Sequence, residues 1–130
     1  MANVMLKLGE FTFGVDTAAY QQLTRVSEYR WASQERIGQG PALQPVGLGS
    51  DTINMDGTIF PGHRGGTSQL ENMRAEAGKM KPLILVDGRG FVHGRWVIHR
   101  VEEGQEVFAH RGAPRKQTFR MQIEKYDDGL

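Results

Sequence analysis

Cysteine is absent from the 130-residue chain. That removes a disulfide framework, a thiolate nucleophile and any cysteine-based zinc site. The redox compartment stays open, with a lean toward assembly in a cytoplasm. An excess of one charge is also missing: 16 Lys and Arg face 15 Asp and Glu, for a formal net charge of +1. A general nucleic-acid binder should show its basic footprint in that sum, so the balance argues against one while leaving room for a local basic patch. No apolar run approaches the ~20 residues a helix needs to span a bilayer, and no signal peptide is visible. Good helical patterning is confined to one stretch. Glycine, by contrast, is plentiful at 17 residues, which marks many turns and hence strands rather than long helices. The length fits a single domain over residues 1–130 with a modest core.

The chain is organised around residues 51–101, which read strand, loop, helix, strand, turn, strand. Asp51–Phe60 alternates with period 2, placing Ile53, Met55 and Ile59 on one face. The Pro61–Gly66 break precedes a helix predicted from Thr67 to about Lys81, with Leu70, Met73, Ala77 and Met80 as one apolar stripe. Thr67 or Ser68 is the expected N-cap, and Glu71 stands at capping-box spacing from Ser68. Lys79 and Lys81 suit the far end of the helix dipole, and Pro82 stops the helix. Pro82–Val86 reads as a buried strand, Asp87–Gly90 as a turn, and Phe91–Val101 as a long strand.

Upstream, Met1–Val15 reads as an edge hairpin turning at Gly9-Glu10, and Asp16–Tyr20 as a connection that Asp16 could cap. Gln21–Ser33 reads as a long strand with two mixed faces, one carrying Leu23, Arg25, Ser27, Tyr29 and Trp31. Gln34–Gly49, dense in Gly and Pro, is expected to be a flexible loop with short extended pieces. Downstream, Glu102–Gln105 reads as a turn, Glu106–Ala109 as a short return strand and His110–Arg115 as an exposed loop. Lys116–Tyr126 closes the chain with Phe119, Met121 and Ile123 inward. The sum is about eight mostly antiparallel strands and one helix. The fold class is therefore α+β, mainly β: an antiparallel β-sandwich or half-open barrel flanked by one α-helix.

Groups that would carry catalysis do not converge. His93 and His99 lie on one strand about 20 Å apart and cannot share a metal, and His63 and His110 lie in loops. The sequence holds no HExxH, no nucleophile elbow and no phosphate loop, since Asp87–Gly90 joins two strands instead of opening a helix. No enzyme, cofactor or metal is expected. Glu71 and Arg74 form an i, i+3 pair on a solvated helix face. What remains is a set of loop cations, Arg36, Arg64, Arg89, Arg111, Arg115 and Lys116, as candidate loop contacts. Tyr29, Arg30 and Trp31 are of the residue types that dominate binding hot spots, with a plain core role for the two aromatics as the competing explanation.

In order and spacing, several stretches resemble the GpU family of tail proteins from contractile-tailed bacteriophages and R-type pyocins. They are Leu8–Phe13, Ser27–Trp31, Arg36–Gly38, Gln44–Gly49 leading into Ile53–Pro61, Gly65-Gly66 before Leu70–Ala77, Pro82-Leu83, Asp87–Gly90 with Gly94, Ala113–Lys116 and Phe119. The resemblance spans about Leu6 to Asp127. It implies a structural virion protein with a tail-tube-like fold, assembled in the host bacterial cytoplasm as a homo-oligomeric ring, expected to be hexameric. That ring would join the tail tube to the baseplate hub, with the tube protein, the hub and other baseplate proteins as partners and the tape measure protein as a further candidate. It implies no membrane and no specific nucleic acid. The candidate subunit contacts are Leu6, Leu8, Phe11 and Phe13 in the first hairpin and Tyr29, Arg30 and Trp31 in the long strand, with Gln34–Gly49 free to reach an adjacent ring. A tail terminator or completion protein capping the tube is the alternative. A single-strand-binding β-barrel is a third reading from a different class, betrayed by salt-dependent binding.

Overall fold

A computed structural model of the chain describes residues 4–14, 18–60, 68–108 and 114–126. It holds strands β1 (Val4–Leu8), β2 (Phe11–Gly14), β3 (Tyr20–Arg36) and β4 (Gln39–Ile59), then helix α1 (Gln69–Ala77), then β5 (Leu83–Asp87), β6 (Val92–Phe108) and β7 (Pro114–Lys125). All seven strands form one sheet in the order β2-β1-β5-β6-β7-β4-β3, and every described pairing in it is antiparallel.

A flat sheet of this width would measure about 30 Å across. Yet its two edge strands, β2 and β3, are joined by the short run from Gly14 to Tyr20, which reaches at most about 20 Å fully extended. The sheet must therefore curl, and the side chains show how. Phe13 of β2 packs edge-on against Tyr20 of β3 at 6.0 Å and tilted against Phe119 of β7 at 6.2 Å. Of the two expected architectures, the half-open barrel is the one observed. Its hollow is filled by alternate residues: Ile53, Met55 and Ile59 from β4 and Phe119, Met121 and Ile123 from β7, as the sequence pattern places them, and also Leu6 and Leu8 from β1 and Trp96 from β6. Leu70 and Met73 of α1 join the same core from the helix side.

Three expectations are corrected. The helix is shorter than predicted, ending at Ala77 with Gly78 as its C-cap. Met80 lies beyond it, exposed and in left-handed backbone at φ 53°, so it is no part of the apolar stripe. Ser68 is the N-cap but makes no side-chain cap bond, and Glu71 pairs with Arg74 at 2.5 Å instead of closing a capping box. Second, Glu102–Gln105 is no turn: β6 runs unbroken to Phe108, and all four residues pair with β7. Gly104 marks a close approach, because a Cβ there would stand 2.4 Å from Thr118 Oγ1. Third, β5 is buried on one face only; Leu83 and Leu85 point inward while Ile84 is exposed.

Gly57 is a second close approach. A Cβ at this position would lie 2.4 Å from the Ala19 carbonyl oxygen and 2.8 Å from the Phe119 ring. Gly57→Ala is expected to destabilise the fold by ~1–3 kcal/mol, the range for overpacking a filled core. A urea midpoint indistinguishable from the parent would contradict this packing.

Candidate functional site

The sheet's body ends where β4 parts from β7. Thr52, opposite Glu124, is the last described β4 residue paired with β7, while β3 and β4 continue together to a two-residue turn at Ile37-Gly38. From Glu28 to Arg36 that is about 30 Å of extended chain. The segment expected to be a flexible loop, Gln34–Gly49, is thus half of a projecting two-stranded arm. Gly and Pro exclude a helix there, but they do not exclude a strand paired on one side only. Pro45 has no N–H to donate and sits opposite Trp31 at an irregularity in the pairing, with Gly47 nearby at φ 146°. Shifts of register between Ser27 and Tyr29, and between Arg30 and Trp31, bend the arm as bulges do.

The pairing fixes the faces of the arm. Tyr29 stands opposite Leu48, Trp31 opposite Pro45 and Ser33 opposite Leu43, so these six share one face. Tyr29 is 66% exposed, Trp31 58%, Leu43 66% and Leu48 80%. The core reading of the two aromatics is therefore excluded. Arg30, opposite Gly47, lies on the other face with Ala32 and Gln34, opposite Gln44 and Ala42. A lone two-stranded ribbon has little core of its own, and its contiguous exposed aromatic face makes the arm the candidate site.

The root of the arm is tied to the body by charge. Asp51 accepts from Arg25 Nε at 2.9 Å and Nη2 at 2.6 Å and from Ser27 Oγ at 3.0 Å. The Arg25 guanidinium also lies 5.3 Å above the buried Trp96 ring. Beside the root is a groove of about 480 Å³ whose lining includes Tyr29, Leu48, Asp51, Lys125 and Tyr126.

The first-hairpin candidates fall elsewhere. Leu6, Leu8, Phe11 and Phe13 are buried in the subunit's own core, so their side chains cannot be the contact; strict alternation is common to core and interface strands. Among the loop candidates, Arg89 is exposed on the β5–β6 turn with its guanidinium 5.2 Å above Phe91. Lys116 lies on β7, not in a loop, with Nζ 3.6 Å from Glu106. Arg36 ends β3 beside the arm's turn and Arg115 lies on β7, both with side chains outside the described set, and Arg64, Arg111, His63, His110 and Asp16 lie outside the described residues. His93 pairs with Asp87 at 3.0 Å and His99 with Glu124 at 2.7 Å. No group of three metal-binding side chains converges among the described residues. The arm residues Leu43, Pro45 and Leu48 escaped the sequence reading; the signal that could have found them is their spacing opposite Ser27–Ser33 across Ile37-Gly38.

Four carboxylates are held below their ordinary range by their partners: Asp51 by Arg25 and Ser27, Glu103 by Gln105, Arg74 and Gln117, Asp87 by His93 and the Phe91 and Arg89 amides, and Glu10 by Lys79. Groups shifted this way contribute stability that is fully present above the unfolded value, near pH 4, and lost as pH falls through the lower folded value. The melting temperature is expected to be level from pH 7 to about 5 and to drop below about 4. Asp51→Asn should flatten part of that drop, and an identical acid profile in the variant would contradict the assignment.

A family model described as Phage P2 GpU matches residues 9–128. A probable tape measure protein of Halomonas phage phiHAP-1 is 32% identical over 120 residues, covering 92% of this chain but 14% of the relative, so the chain spans about one seventh of that protein's length. In structure the chain is similar to the Dit protein (gp 19.1) of phage SPP1, described as a hub adsorption apparatus protein, with TM-score 0.69, 9% identity, and coverage of 95% of this chain and 49% of that one. It is also similar to a chain in the tail of an empty gene transfer agent particle with C6 symmetry, with TM-score 0.55, 13% identity, and coverage of 95% and 91%. At these identities the structural likeness is one of fold.

Proposed function

The chain belongs to the phage P2 GpU family, and from that premise we propose that it is a non-enzymatic ring subunit of a contractile phage tail, joining the tail tube to the baseplate hub. The observation that carries the reading is the arm: an apolar face of Tyr29, Trp31, Leu43, Pro45 and Leu48, projecting from one edge of the sheet and left exposed among the described residues. Six copies is the proposed number, in keeping with the C6 symmetry of the tail to which one structural neighbour belongs. The sheet face away from the core supports a place around an aqueous channel. It carries polar rows across β4, β7 and β6, Asp56–Arg120–Glu102 and Asn54–Gln122–Arg100. The tube protein, the hub and the tape measure protein are the proposed neighbours, the last supported by the name of the Halomonas phage relative. Assembly in the host cytoplasm and residence in the virion complete the proposal.

A terminator at the head end of the tube would use the same fold, so position is the test. Gold-labelled antibody against the chain, imaged on whole tails, is expected at the baseplate end. Label at the head-proximal end would select the terminator, and unlabelled tails would overturn both.

A further inference from the structure

The subunit carries a second exposed apolar face, far from the arm in strand order. On the side of the sheet opposite Leu83 and Leu85, Ile84 and Val86 of β5 lie beside Val92 of β6, which pairs with Val86. Ile84 is 53% exposed and Val92 67%. Lys7 of β1, paired with Val86, borders this face, and Arg89 stands at the adjoining turn. The arm's apolar face continues along β3 past Ser33 to Glu35, so it ends in a carboxylate where the second face is bordered by cations. The two faces differ in the charge at their borders. The carboxylate at the end of the arm's face is opposite in charge to Lys7 and Arg89 beside the second face.

We propose that the arm of one subunit docks through Tyr29, Trp31 and Leu48 on the Ile84–Val86–Val92 face of the next copy, with Glu35 directed to its Lys7 and Arg89. The inference rests on the ring reading and gives that ring its contact. Because the two surfaces are unlike, the contact is head-to-tail, the kind that builds a ring where its rotation closes, whereas a like-with-like contact would stop at two chains. Two aromatics at its centre suit the residue types that dominate binding hot spots.

The test uses the full chain with Trp31→Asp and, separately, Val92→Asp. Both sites are exposed in the subunit, so folding should survive, as circular dichroism would show. Sedimentation velocity is expected to find each variant dissociated, with the dissociation constant raised on the order of 30-fold or more, as for loss of a hot spot. An equimolar mixture of the two is expected to give a one-to-one dimer and nothing larger. The Trp31→Asp chain keeps its receiving face, the Val92→Asp chain keeps its arm, and one intact contact forms between them. A ring that persists in Val92→Asp while Trp31→Asp dissociates would overturn this contact and leave the ring standing, with the arm on some other surface. A parent chain that stays monomeric to millimolar concentration, with no dimer in the mixture, would overturn both readings.

Discussion

Trp96→Ala is expected to cost ~3–5 kcal/mol of folding stability, the range for removing a large buried aromatic. Since a domain of this size has roughly 5–15 kcal/mol in all, that is a large share of the total. Trp96 is fully buried, donates from Nε1 to the His93 carbonyl oxygen at 2.9 Å, and lies under the Arg25 guanidinium at the root of the arm. Truncation therefore opens a cavity, orphans a carbonyl and loosens the arm's base together. Trp31→Ala is the matching control. It removes the same side chain from an exposed site, and the stability of the single subunit should change by less than ~0.5 kcal/mol. Urea unfolding of the two variants checks the pair. Equal losses would mean that the arm is packed into the body.

Phe13→Ala should be comparably severe, at ~3–5 kcal/mol, for a different reason. Phe13 is the ring through which the two edges of the sheet meet, in contact with Phe11 at 4.8 Å and with Tyr20 and Phe119. Its loss should release β2 and the start of β3 before the rest. Hydrogen exchange should speed first at Thr12, Gly14 and Leu23, while β6 and β7 keep their protection. Uniform acceleration across all seven strands would contradict a curl closed by this one side chain.

These contrasts show where sequence pattern informs and where it fails. Ile53, Met55 and Ile59, and likewise Phe119, Met121 and Ile123, alternate against polar neighbours and sit inward as expected, because a strand with one buried face states its own register. The β1–β2 hairpin and its turn at Gly9-Glu10 were equally legible. Residues 34–49 were not, because Gly and Pro are penalised in paired strands and this strand is paired on one side alone. Gly104 looked like a turn because sequence does not reveal Thr118 facing it. In the candidate site, residue type singled out Tyr29, Arg30 and Trp31, and the pairing puts Tyr29 and Trp31 on the arm's exposed apolar face with Arg30 on the other. Leu6, Leu8, Phe11 and Phe13 were misassigned, since alternation marks a covered face without saying what covers it. Leu48 and Leu43 emerged only once pairing set them beside the aromatics.

The central claim is that this chain closes into a ring. Native mass spectrometry of the 130-residue chain, taken across a concentration series, tests it most directly. The expected result is a discrete species at six times the 14.5 kDa chain mass, which falls apart when Trp31 is replaced. A chain that remains monomeric at every concentration would contradict it; a hexamer that ignores the loss of Trp31 would keep the ring and remove the arm as its contact.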